Sequence, residues 1–181
     1  MIATFTNRII RAAKLDSQVY EEVEADTRAS GQAMLVVVLS SVAAGIGSLE
    51  RGGISGIFLI GIADIVGWFI WAYITYYVGT KILPEPQTSS NPGELLRTIG
   101  FSRSPGFIRV LGIIPGLAGI VFLVASLWML VAMVIAVRQA LDYRSTFRAV
   151  GVCIIGWLIQ AVIIFFVFLF CRLVTVLILS Q

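Results

Sequence analysis

The sequence predicts an all-α fold: a polytopic membrane bundle of five transmembrane helices, the third of them broken, preceded by an amphipathic helix that lies in the membrane interface. Three observations carry this. Of 181 residues, 59% are hydrophobic and 13% charged, against about 25% charged in an ordinary soluble domain. The apolar residues gather in runs that suit a hydrocarbon core, which takes about 20 residues per helix. Lys and Arg stand at the ends of those runs, where they set orientation. The chain therefore divides into an N-terminal cytoplasmic segment, 1–26, and a membrane domain, 27–181, with spans near 33–49, 54–80, 98–115, 117–141 and 149–171.

Residues 2–15 lack the uninterrupted apolar core that a secretory signal requires. On a helix, Ile2, Phe5, Ile9 and Ala13 make one stripe, with Arg8, Arg11 and Lys14 largely elsewhere. That pattern suits a helix in the interface, its basic side toward anionic lipid; packing against the protein's own loops is the alternative. Asp16 or Ser17 can cap a second short helix. Its acidic run, VYEEVEAD, either neutralises the basic helix or offers Tyr20, Glu21, Glu22 and Glu24 to a partner.

Asp26 and Thr27 start the first long helix. Ser41, Ala44, Gly45 and Ser48 make one side of it small, and small faces let helices approach closely in lipid. Glu50-Arg51-Gly52-Gly53 is expected to be a tight turn. The second span ends among Trp68, Trp71, Tyr73, Tyr76 and Tyr77, residues that favour the membrane boundary. Asp64 lies inside it. A carboxylate there costs about 3 kcal/mol or more if unpaired, so it faces the interior, carries a proton or pairs with an arginine.

Leu83 to Pro92 is a polar, proline-rich connector, and Glu94 to Ser102 a short amphipathic helix. The basic loops are the N-terminus, 81–103 and 138–148, and all three belong in the cytoplasm. The second and fourth spans then both end inside, and the chain must cross outward between them. Only PGFIRVLGIIP, from Pro105 to Pro115 with its flanks, is available. Irregular backbone at that depth survives buried in protein or beside a water-filled cavity. A broken third helix is expected, with Arg103 or Arg109 as partner for Asp64. A re-entrant loop with four spans is the alternative.

Gly112 and Gly116 form a small-xxx-small pair before the fourth span, which carries Trp128 near its middle. After a short turn, Asp142 to Thr146, the last span holds both cysteines. Cys153 and Cys171 are about 27 Å apart along a helix, beyond the roughly 7 Å a disulfide allows. The apolar tail after Arg172, with Leu173, Val176 and Leu177, either folds back along the membrane or docks on another protein.

The chain contains no histidine, which excludes His-ligated haem and His proton relays. No CxxC, nucleophile elbow or glycine-rich phosphate loop is present. No enzyme, cofactor, metal or nucleic-acid role is expected. Two function classes stay open. One is a non-enzymatic scaffold or accessory subunit that binds other membrane proteins or a larger membrane complex. The other is a small ion or solute transporter or channel built on Asp64 with Arg103 and Arg109, since discontinuous helices are how many transporters bind ions.

The run RTIGFSRSPGFIRVLGIIPGLAGIVFLVASLWMLVAMVIAVRQALDYRSTFRAV resembles the core of the YIP domain family (Ypt/Rab-interacting membrane proteins). The resemblance rests on the order of Pro105-Gly106, Pro115-Gly116 and Trp128, all read as architectural, and covers roughly residues 15–170. It implies five spans, a cytoplasmic N-terminus and the role of a membrane organiser. VYEEVEAD before the first span resembles prokaryotic members, which implies the prokaryotic cytoplasmic membrane, with the C-terminus on the opposite side. Eukaryotic members engage small GTPases through a long cytosolic N-terminal region that this chain lacks, so no such partner is expected.

Overall fold

The computed structural model describes residues 2–179, apart from the side chains of 2–3, 50–60, 167–168, 170–171 and 173–179. Among the described residues it contains seven α-helices and no strand. These are α1 (Ile2–Ala13), α2 (Ser17–Ala25), α3 (Ala29–Gly47), α4 (Leu49–Tyr77), α5 (Pro92–Phe101), α6 (Ala118–Ala140) and α7 (Thr146–Leu179). A π-helical turn, Val78–Ile82, extends α4, and a 3-10 helix, Ser104–Ile113, lies between α5 and α6. Among the described residues, four helical stretches are long and apolar enough to cross a membrane: Ala29–Gly47, Gly61–Ile82, Ala118–Ala140 and Thr146–Phe166.

Local chemistry explains most boundaries. Asp16 caps α2, its carboxylate accepting from the Gln18 amide at 3.0 Å. Asn91 caps α5 in a reciprocal box with Glu94, and Pro92 fills the first turn, where its missing N–H costs nothing. Gly116 turns the chain into α6 with a φ of +82°, and a Cβ there would meet nothing within 4 Å. Gly112 is buried against α3 instead, so the two glycines do not form one packing face: one packs and the other turns.

The Glu50–Gly53 turn is not realised. The chain bends at Ser48, whose hydroxyl donates to Ala44 O at 2.9 Å and Gly45 O at 3.2 Å, and the backbone from Leu49 onward is helical. Nor does the tail fold back, since α7 continues as one helix through Leu179.

The 3-10 helix and α5 run beside α3 in matching register. A Cβ on Gly100 would sit 2.7 Å from Ala33 Cβ, and one on Gly112 would sit 2.8 Å from Gly47 O. Between them Gly106 meets Ser40. The two segments therefore run in the same direction from the level of Ala33 to that of Gly47, a rise of about 21 Å along α3.

Helices α1 and α2 form a hairpin packed on α5, the 3-10 helix and α6. Here the expectation of basic residues turned to lipid fails. Arg8 is buried, bonding Glu22 at 2.8 Å, Asp26 at 2.9 Å and Gln32 at 2.9 Å. Arg11 reaches Asp16 at 2.7 Å and Glu22 at 2.6 Å. The acidic partners follow within the same hairpin, and a charged hydrogen bond to them is stronger than a diffuse attraction to lipid headgroups.

Candidate functional site

The 3-10 helix explains how charged groups come together inside the bundle. Three residues per turn eclipse positions three apart. Arg103, Gly106, Arg109 and Gly112 therefore form one row, where an α-helix would spread them around its circumference. The glycines let this row lie against α3, and the arginines reach past them.

Asp64 of α4 receives two donors. Ser41 Oγ donates to its Oδ2 at 2.7 Å, and Arg103 Nη1 to its Oδ1 at 3.2 Å. Ser41 also bonds Val37 O at 2.9 Å, so the serine holds the carboxylate to the body of α3. Arg109 does not reach Asp64. Its Nη2 donates to Ser40 Oγ at 2.8 Å and Ser40 O at 3.2 Å, and its Nε to Gly106 O at 3.2 Å. The side chains of Arg103 and Asp64 keep 18% and 25% of their surface, so the pair lies at the wall of the bundle and not sealed at its centre.

The expected residues thus fall into separate groups. Asp64 and Arg103 pair, and Arg109 stands beside them on Ser40. Pro105 is buried in the first turn of the 3-10 helix, and Pro115 is exposed in the turn that follows. Trp128 donates its indole N–H to Ala13 O at 2.8 Å, fastening the end of α1 to α6. Ser40 and Ser41, side by side, carry the hydrogen bonds of this region but look generic in sequence. The signal that points to them is the three-residue spacing Arg-x-x-Gly-x-x-Arg-x-x-Gly opposite a serine pair on a small-residue helix.

The acidic segment is largely used internally. Tyr20 is buried, its hydroxyl donating to Ala12 O at 3.4 Å, and burial raises its pKa. Glu22 belongs to Arg8 and Arg11. Glu21 accepts from Gln139 at 2.6 Å. Glu24 is half-buried, and burial, then Glu94 and Asp142, push its carboxyl up to about 7. Arg97, within the basic segment 81–103, is buried and caps the end of α2 by donating to Val23 O at 2.9 Å and to Glu24 O. A guanidinium at a helix C-terminus meets the negative end of its dipole. The side chains of Leu173, Val176, Leu177 and Cys171 lie outside the described residues.

At the far end of α4 two loops lock together. Tyr143 OH contacts Leu83 O at 2.7 Å and Gly79 O at 2.9 Å, and burial pushes its pKa up to about 12. Glu85 accepts from the Arg144 amide at 3.0 Å, which holds its carboxyl below the usual range.

Fold and site together define a class, a helical membrane protein with an ion pair between its helices. No family model matches the chain, and neither does any curated protein or solved structure.

Proposed function

We propose that the protein is a non-enzymatic membrane scaffold or accessory subunit that binds other membrane proteins through α7. The observation that carries this is the far half of that helix. Residues 161–166 are all exposed, which is every face of more than one helical turn. Phe165 and Phe166 stack edge to face with ring centroids 5.8 Å apart. The 34 residues of α7 rise about 51 Å, against about 30 Å of hydrocarbon core. A helix that outruns both its bundle and the bilayer is suited to lie along another protein. The role agrees with the organiser function implied by the YIP resemblance.

Five spans remain the reading favoured here. The 3-10 helix alone rises about 20 Å, and its register beside α3 supports a crossing parallel to the first span. With the basic loops inside, the N-terminus is cytoplasmic and the C-terminus opposite, in a prokaryotic cytoplasmic membrane. Asp64 is then a structural residue, since both its oxygens are committed to neighbouring helices.

Two experiments test this. In a cysteine-free background, single cysteines at Gly93 and Gly116 should react with a membrane-impermeant maleimide from opposite sides; labelling from the same side would sink the five-span reading. Native mass spectrometry of protein drawn from its own membrane should show a stoichiometric companion that is lost in a Val162→Ser/Phe166→Ser variant. A companion retained by that variant, or none with the wild type, would overturn the role given to α7.

A further inference from the structure

We infer that the fork where α7 leaves the bundle docks a partner transmembrane helix through a carboxylate at its middle, received by Arg103. The inference rests on the role proposed for α7 and names the chemistry of its partner. At the fork a cavity of about 200 Å3 is lined by Arg103, Ser126, Met129, Met133 and Trp157. Ser126 and Trp157 are exposed, so it opens between α6 and α7. Past the cavity, residues 161–166 of α7 are all exposed, and so are Leu123 and Ile120 of α6. Two apolar surfaces thus continue from one polar notch.

Depth decides what can enter. Trp157 stands about 16 Å from Thr146 along α7, and Ser126 about 21 Å from Ala140 along α6. Both lie near the middle of a hydrocarbon core about 30 Å thick. Headgroups and aqueous ions stay at the boundaries of that core. The anion that the bilayer carries to this depth is a side chain on another helix, where a carboxylate has to face a partner.

Charge counting gives the ligand its sign. Two guanidiniums, Arg103 and Arg109, meet one carboxylate, Asp64, which leaves one positive charge. Arg109 spends its donors on Ser40 and the Gly106 carbonyl. Arg103 makes one hydrogen bond among the described residues, from Nη1 to Asp64. Its Nε and Nη2 are without a protein acceptor there, and a guanidinium with one edge free matches the two oxygens of a carboxylate. The Ser126 hydroxyl stands in the same wall as a third donor. Gln160, three residues on from Trp157 and so on the same side of α7, is half-buried and also without a hydrogen bond among the described residues. Polar side chains at this depth find their partners on other helices, since lipid tails offer none.

A second copy of this chain does not supply the carboxylate. Across the four apolar helical stretches Asp64 is the one acidic residue, and Ser41 and Arg103 already hold it. The partner is a different protein.

The test uses the full-length protein in phosphatidylcholine vesicles, with a dye-labelled leucine–alanine peptide of about 20 residues. The peptide is flanked by lysines and bears Glu or Gln at its centre, which sets one depth for either direction of insertion. Energy transfer from the protein's tryptophans should show the Glu peptide bound about tenfold more tightly than the Gln peptide, the scale of one charged hydrogen-bonded contact. Moving the Glu two turns toward the peptide's end should remove the advantage. Arg103→Gln should bring the two central peptides level. Because that change also strips Asp64 of its partner, Ser126→Phe provides a second variant: it fills the cavity, leaves the ion pair in place, and should abolish the preference with thermal stability unchanged. Equal binding of the two peptides by the wild type, or a preference that survives Ser126→Phe, would overturn the inference. So would loss of the preference to millimolar acetate, which would give the free edge to an aqueous anion. Each of these failures leaves the role of α7 standing, because that role is judged by the companion lost from the Val162→Ser/Phe166→Ser variant.

Discussion

In the N-terminal hairpin Arg8 and Arg11 share three carboxylates, Asp16, Glu22 and Asp26; in the bundle Arg103 pairs with one, Asp64, while Arg109 gives its hydrogen bonds to Ser40 and the Gly106 carbonyl. The hairpin can hold surplus acid because its residues sit near the edge of the fold, where an unused carboxylate oxygen still finds water. Inside a span each further carboxylate costs about 3 kcal/mol to insert. The bundle therefore uses one, and completes the shell with serine hydroxyls and a carbonyl. The first cluster is redundant. The second has no reserve.

That contrast sets the order of effects. Asp64→Leu should have the largest, because it leaves both arginines uncompensated and frees Ser41 of its partner. Removing one member of a buried pair costs about 3–5 kcal/mol, and a loss near the lower bound is expected, since the pair lies at the bundle wall. Reversible unfolding in mixed micelles would measure it. Asp64→Leu combined with Arg103→Leu should recover part of the loss. A single variant as stable as the wild type would break the comparison at its root.

Arg8→Ala should cost less, about 1–2 kcal/mol, since Arg11 keeps Glu22 occupied and Asp26 has water nearby. The readout is hydrogen exchange: protection across residues 4–13 should fall while that of α3 and α6 holds. Arg11→Ala should be milder still, as its side chain is 29% exposed against 8% for Arg8. Exchange rising equally in the bundle would show that the hairpin and the ion-paired core are one cooperative unit.

How much of this was legible in the sequence differs between the two regions for a physical reason. The all-helical character and the apolar helices follow from hydropathy, which is local. Asp64 could be singled out because a carboxylate amid apolar residues must find a partner, and Arg103 stood among the few candidates. What remained hidden depends on backbone geometry. An α-helical reading of Arg103 to Gly112 scatters its arginines, and only the 3-10 repeat aligns them. The bend falls at Ser48 and not at Gly52-Gly53 because the serine hydroxyl meets the last carbonyls of α3, whereas a glycine pair permits a turn without requiring one. The hairpin was misread as lipid-facing because amphipathicity reports that a helix has two sides, not what each side meets. The helix expected from Glu94 begins at Pro92, because Asn91 and Glu94 close a capping box that the spacing Asn-Pro-x-Glu encodes and the reading of a connector through Pro92 passed over.

The smallest effect is a pH dependence in which two neighbours on α2 act in opposite senses. Arg8 holds Glu22 and Asp26 below their ordinary values of 4.5 and 3.8, and Arg11 does the same for Asp16. Stability from these groups is complete above the unfolded values and is lost as pH falls through the lowered folded ones. They contribute no slope near neutrality. Glu24 is the reverse. Burial, then Glu94 and Asp142, raise it from 4.5 to about 7, so between those values the folded state binds a proton that the unfolded state does not. Stability must therefore fall as pH rises through that window. Protection of α2 against hydrogen exchange, corrected for intrinsic rate, should accordingly grow from about pH 8 to about pH 5 and decline below about pH 4. Glu24→Gln should flatten the upper limb and leave the lower one, and Arg8→Ala should weaken the lower limb and spare the upper. An upper limb that survives Glu24→Gln would mean that another group titrates there, and that burial of Glu24 at the junction of α2, α5 and α6 is not what makes the hairpin sensitive to pH.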